Sequence, residues 1–145
     1  MLRILAVASV LALGATAVMA QNAAGIKARQ EAMKAMGGAM KEPGGMAKGE
    51  MAFDLAKVQA SLKTIESQAV KSKDLYGDDT KTGETDALPA AFENKADLMA
   101  KFDKIAADAK AAQAAVKDEA SFKAEWGKIG ANCGGCHKAY RKPKT

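Results

Sequence analysis

The chain is poor in the residues that most sites are built from. It has one histidine, two cysteines, one tryptophan, three prolines and only 5% aromatics. Two Cys and one His are too few for a four-cysteine zinc site or one of two cysteines and two histidines. A serine-nucleophile triad would have to take His137 as its base, because there is no other histidine. Few aromatics and abundant alanine disfavour sheets, which prefer β-branched and aromatic residues, and suit closely packed helices. At 145 residues the chain is the size of one ordinary domain. Special chemistry has one place to go.

Long apolar runs are also scarce, and the single clear one is at the start. Met1-Leu2-Arg3 is a short basic opening, Ile4 to Val18 is apolar, and Val18 and Ala20 are small residues at −3 and −1 of a cleavage site. The pattern predicts a secretory signal peptide over 1–20, cut before Gln21, and a periplasmic domain over 21–145. A retained anchor is the alternative, but the run is shorter than the ~20 residues that span a bilayer. No later segment is apolar enough to cross a membrane, so the mature chain is expected to have no membrane span. Without Arg3 it carries 21 basic and 17 acidic residues, a net charge of +4, and nineteen of the bases are lysines interleaved with Asp and Glu. Nucleic-acid binding would want clustered arginine with aromatics, so it is not expected. Mild positive charge suits an acidic redox partner protein instead.

Four helical stretches follow. Ala24 to about Lys41 is rich in good helix formers, with Ile26, Met33 and Met40 at seven-residue intervals and Gln30, Met36 and Gly37 on the same side. Pro43-Gly44-Gly45 is expected to end it. After Lys48-Gly49-Glu50, Asp54 is a candidate N-cap for a helix with Leu55, Val58, Leu62, Ile65 and Ala69 on one face. Tyr76 to Leu88 reads as loop, and Pro89 as the first residue of a third helix with the stripe Phe92, Met99, Phe102, Ala106, Ala109 and Val116, and Ile105 beside it. Asp118 or Ser121 caps the fourth, where Phe122, Trp126, Ile129, Cys133, Cys136 and Tyr140 follow 4-3-4-3-4 spacing up to Pro143. The simplest way to bury four such stripes is an all-α, antiparallel four-helix bundle.

Both cysteines and the only histidine fall in Cys133-Gly134-Gly135-Cys136-His137. Cys-x-x-Cys-His is the attachment signature of c-type haem. Two thiols must reach two vinyl groups on one porphyrin edge, and helical spacing of i and i+3 points them the same way. His137, at i+4 from Cys133, lies on that face to ligate the iron. Glycines at 134 and 135 suit close approach of backbone and ring, at about 1 kcal/mol each in helix propensity. A thioredoxin-like dithiol is the alternative, but its usual βαβ context is missing. A structural disulfide closing so short a loop would constrain the unfolded chain little. The expected cofactor is one covalently bound haem c.

With these residues in hand, the sequence resembles class II cytochromes c, the cytochrome c′ group and its low-spin relatives of the c-556 type, over essentially all of 24–142. The resemblance rests on Arg29-Gln30-x-x-Met33, Lys48-Gly49 and Cys133-Gly134-Gly135-Cys136-His137-Lys138-Ala139-Tyr140-Arg141. More loosely, it includes Thr85-Asp86-Ala87-Leu88-Pro89 followed by Phe92, where tryptophan is common in the family. It implies an exported bundle with its haem near the C-terminus. Arg29 is then a haem-propionate partner, its guanidinium suited to a forked pairing with carboxylate and its position four residues before Met33 putting both on one face; the alternative is an exposed helix residue. Gln30 and Asp86 fall at the haem periphery, and Arg141 near the proximal imidazole. Met33 takes the position over the open face of the haem. Low-spin members use a methionine there as sixth ligand, whereas high-spin members block that face with an apolar residue and stay five-coordinate. Methionine is also common core filler, and Met36, Met40 and Met46 lie nearby. The implied function is one-electron transfer with redox partner proteins. The alternatives are five-coordinate binding of small gases such as NO or CO, and, remotely, a dithiol-disulfide protein. The sequence offers no acid–base pair for an enzyme, and the resemblance implies a homodimer through the first two bundle helices.

Overall fold

The computed structural model describes residues 22–143; the expected signal peptide lies outside them. The described residues form the expected four-helix bundle. Residues 22–39 are helical (α1), and after a turn at Met40 a short α2 spans Lys41–Ala47. α3 is Leu55–Ser72, α4 a single turn Ala90–Glu93, α5 Lys95–Ala115 and α6 Glu119–Tyr140. α1, α3, α5 and α6 are the four bundle helices. α3 packs along α5 and α5 along α6, while α2 closes over α3 and α6. No described helix is long and apolar enough to cross a membrane.

Pro43-Gly44-Gly45 does not end the first helical region, contrary to expectation; it sits inside α2. Proline is tolerated in a first turn because the N–H it lacks has no intrahelical acceptor there. Amide bonds from Met40 to the Met36 carbonyl (3.1 Å) and from Gly44 to the Met40 carbonyl (3.0 Å) carry the helical path across the turn. The chain leaves the helix after Ala47, where Gly49 adopts φ +76°, a conformation open to glycine. Asp54 caps α3 as expected, its carboxylate accepting from the Lys57 amide at 3.0 Å. Asp118 and Ser121 act together at α6 as a reciprocal capping box.

The dry core is built from Val58, Leu62, Ile65 and Ala69 of α3, Leu98, Phe102, Ile105, Ala109 and Ala112 of α5, and Phe122, Trp126 and Ile129 of α6. The expected stripes on α5 and α1 need rotating, and the α3 stripe keeps its phase but not its first residue. On α3, Leu55 is exposed and Ser72 takes the last buried place. On α5 the buried line is Leu98-Phe102-Ile105-Ala109-Ala112-Val116, with Met99 and Ala106 at its edge. That phase is a clean 4-3-4-3-4, which Phe92 obscures because it belongs to α4. Pro89 caps that one-turn helix, and Asn94 (φ −108°, ψ 46°) separates it from α5. On α1, Ile26, Arg29, Ala32 and Met36 are buried while Gln30 and Gly37 are exposed.

The segment Tyr76–Leu88 is more ordered than a plain loop. Two 3₁₀ turns, Lys73–Leu75 and Asp78–Thr80, begin the connection. Ala87 forms an antiparallel bridge with Arg141, just past the end of α6. Thr80 and Thr85 are buried.

Candidate functional site: a cavity between the first and last helices

A cavity of about 460 Å³ opens at the C-terminal end of α6. α1 contributes Arg29, Gln30, Met33, Lys34 and Gly37 to its wall, and the connecting segment contributes Tyr76, Thr85, Asp86 and Ala87. α6 and its continuation add His137, Tyr140 and Arg141. The structure thus brings Arg29, Gln30, Met33, Asp86, His137 and Arg141 to one space, although they span 112 positions of sequence. Its volume is within the roughly 300–1,000 Å³ common for small-molecule sites. The α1 residues at 30, 33 and 37, displaced from the dry core, face this cavity.

Cys133 and Cys136 are free thiols on α6, Cys133 half-buried and Cys136 buried. Burial pushes both thiols above the ordinary cysteine value. A reactive dithiol needs the opposite shift, since the thiolate is the nucleophile. Among the described residues no cluster of His, Cys, Asp or Glu is arranged to hold a bare metal ion.

Arg29 is not an exposed helix residue. It is 3% exposed and donates four hydrogen bonds into the segment after α3. Nη1 reaches the Leu75 carbonyl (2.9 Å) and Thr80 Oγ1 (2.8 Å), and Nη2 reaches the Thr80 carbonyl (3.2 Å) and Thr85 Oγ1 (2.8 Å). Its guanidinium also lies 4.8 Å from the Tyr76 ring centroid and 5.4 Å from that of Phe92, within cation–π range. Burial lowers its pKa, opposed by the charges of Tyr76 and Asp79. The Tyr76 phenol is pushed up to about 12, chiefly by burial, with Arg29 pulling the other way. Gln30 donates from Nε2 to the Glu84 carbonyl at 2.9 Å.

At the end of α6, the Tyr140 hydroxyl donates to Asp97. That bond holds the tyrosine up at about 12 and the Asp97 carboxyl below its ordinary value, with Lys101 3.5 Å from Asp97. Tyr76 and Thr80 carry no periodic or motif signal for a role at this end of the bundle, and Thr85 is marked only as the first residue of the looser resemblance segment Thr85–Pro89. Only the position of Tyr76, as the sole aromatic residue between α3 and Phe92, sets it apart in the sequence.

A helical bundle with Cys-x-x-Cys-His on its last helix, and that histidine in a cavity walled by the first, has the frame of a c-type cytochrome. The family described as cytochrome C′ matches residues 24–141. A cytochrome c′ of Rhodopseudomonas palustris is 43% identical over 145 residues, covering 99% of each chain. A cytochrome c-556 of Agrobacterium fabrum is 37% identical over 120 residues, 82% of each. The solved structure of R. palustris cytochrome c′ superposes with a TM-score of 0.81 at 44% identity, covering 83% of this chain and 98% of that one. The chain belongs to the cytochrome c′ family: it is a monohaem c-type cytochrome whose cofactor is covalently attached haem c.

The residues present fit that group. Two unbridged thiols stand three positions apart on one helix, with the adjoining histidine in the cavity wall. A Cβ built on Gly134, Gly135 or the cavity-lining Gly37 would meet nothing within 4 Å beyond its chain neighbours and the adjoining helix backbone. The protein's own packing therefore does not demand glycine at these places, and a planar group has bare backbone to approach.

Proposed function

We propose that the protein is a periplasmic one-electron carrier in which Met33 occupies the sixth position of the haem iron. Residues 1–20 act as the export signal. Cys133 and Cys136 would hold the haem through thioether bonds, and His137 would ligate its iron. The observation carrying this reading is that Met33 and His137 line the same cavity from different helices, in a chain with no second histidine.

Haem c, when bound, supplies the one-electron couple. The protein's part is to bind, orient and tune it. A thioether ligand raises the reduction potential. Arg29 offers positive charge to a propionate from the cavity wall, with Gln30, Asp86 and Arg141 around the periphery. A surface rich in lysine steers an acidic redox partner. A homodimer through α1 and α3 belongs to the same reading, and a monomer in sedimentation would remove it.

A second reading, five-coordinate iron that takes up NO or CO, has its own support. Met33 is only half-buried, and a flexible thioether at a cavity wall can swing aside. The relative at 43% identity is, moreover, named a cytochrome c′.

The visible spectrum of the ferric protein separates the two. Met33 ligation gives a weak far-red sulfur-to-iron band that Met33→Ala abolishes; a high-spin spectrum in the wild type overturns Met33 ligation and favours gas binding. Acid-acetone extraction should leave the colour on the protein, because thioethers survive it.

A further inference from the structure

The two walls that carry Met33 and His137 are fastened to one piece of chain, residues 75–88. On the α1 side the fastening is Arg29, with four bonds to Leu75, Thr80 and Thr85, and Gln30, with one to the Glu84 carbonyl. On the α6 side the Leu88 amide donates to the Tyr140 carbonyl at 2.9 Å and the Lys142 amide to the Asp86 carbonyl at 2.8 Å. Lys142 Nζ donates to the Thr85 carbonyl at 2.7 Å.

Thr85 is the residue common to both sides. Its hydroxyl accepts from Arg29 Nη2 at 2.8 Å and from the Ala87 amide at 3.1 Å, while its carbonyl accepts from Lys142. It is 8% exposed and Thr80 3%. Hydrogen bonds among buried groups are costly to leave unmade and hold their geometry closely, particularly where the donor is charged.

We propose that Thr85 is a positioning residue: through Arg29 on one side and the 85–88 bridge on the other, it sets the separation of α1 from the end of α6. It thereby decides whether the sulfur of Met33 reaches the iron held by His137. The consequence for the iron rests on the Met33 reading above. The fastening itself does not.

Thr85→Val keeps the branched shape and removes the hydroxyl; Thr85→Ser keeps the hydroxyl. Both are to be made in the haem-loaded protein and read in two ways. The first is native-state amide exchange. Thr85→Val should speed exchange at Ala87 and Lys142, and in the Arg29–Met33 turn of α1, by tenfold or more, and Thr85→Ser should restore wild-type rates. The second is the state of the iron. Thr85→Val should weaken the far-red sulfur-to-iron band and speed CO uptake by the ferrous protein at least severalfold, with Thr85→Ser again close to wild type.

If the wild type shows the band and Thr85→Val changes neither exchange beyond Ala87 nor CO uptake, the positioning role is overturned while Met33 ligation stands. If the wild type lacks the band and Thr85→Val still loosens both α1 and Lys142, Met33 ligation is overturned while the fastening stands. Exchange that quickens at Ala87 alone makes Thr85 a local turn residue and overturns the proposal.

Discussion

The α3–α5 face and the cavity end of the bundle are held together by different physics. Between α3 and α5, Val58, Leu62, Ile65 and Ala69 meet Leu98, Phe102, Ile105 and Ala109, all nearly inaccessible to water. Burial of this kind is non-directional and scales with apolar area. At the cavity end, Met33 and Tyr76 are only half-buried, and much of the order comes from directed hydrogen bonds made by Arg29, Gln30, Thr85 and Lys142. A scaffold of the first kind tolerates changes of phase or size if volume is kept. A site of the second kind depends on single atoms. The difference separates what keeps the protein folded from what poises the haem.

Substitutions on the two sides should therefore part stability from spectrum. Leu62→Ala, in the middle of the dry face, should cost about 2–5 kcal/mol. Chemical unfolding would show it, with the visible spectrum of the surviving folded protein unchanged; a spectral shift would mean that the two regions are not independent. Arg29→Met should cost less, about 1–3 kcal/mol, from acceptors left without their donor. Unlike Leu62→Ala, it should also alter the haem spectrum. Equal spectra for the two variants would dissolve the contrast.

Smaller again is the Asp118 cap of α6, which belongs to neither region. Hydrogen bonds from Ser121 hold the Asp118 carboxyl below its ordinary value. The ionised cap therefore stabilises the fold fully above the unfolded value of about 4, and the gain is lost as pH falls through the lower folded value. Asp118→Ala should lower the melting temperature by a few degrees at pH 7. The gap to wild type should narrow below about pH 4, and a gap independent of pH would show that charge has no part in it. Least of all, removing the exposed Lys57–Glu42 pair (3.4 Å) by Lys57→Ala should change stability by less than about 1 kcal/mol, with no spectral effect.

The same division explains what was legible in the residues. Asp54 at the start of α3, the Asp118–Ser121 box, the α6 stripe through Cys136 and Tyr140, and the Cys-x-x-Cys-His pentad are all readable, because each depends on neighbours within four positions. Pro43-Gly44-Gly45 misleads because its meaning depends on whether a new helix begins just before it, which Met40 decides by turning without breaking the path. The α5 phase misleads because Phe92 sits on a separate one-turn helix. Leu55 has the right spacing for the α3 face but projects beyond the end of the core. Thr80 and Thr85 look like ordinary polar residues of a loop. Their partner Arg29 lies 51 and 56 positions away, and no periodicity reaches that far.

By itself the sequence determined the four bundle helices, most of their caps and the Cys-x-x-Cys-His pattern at 133–137, because helical spacing and motif spacing are local properties. Only the tertiary structure decided that Met33 lines the same cavity as His137, that Arg29 is buried rather than solvated, and that Thr85 ties the two walls together. Those outcomes depend on where packed helices bring distant residues together. The hydrogen bonds that exploit the meeting have a reach of about 3 Å.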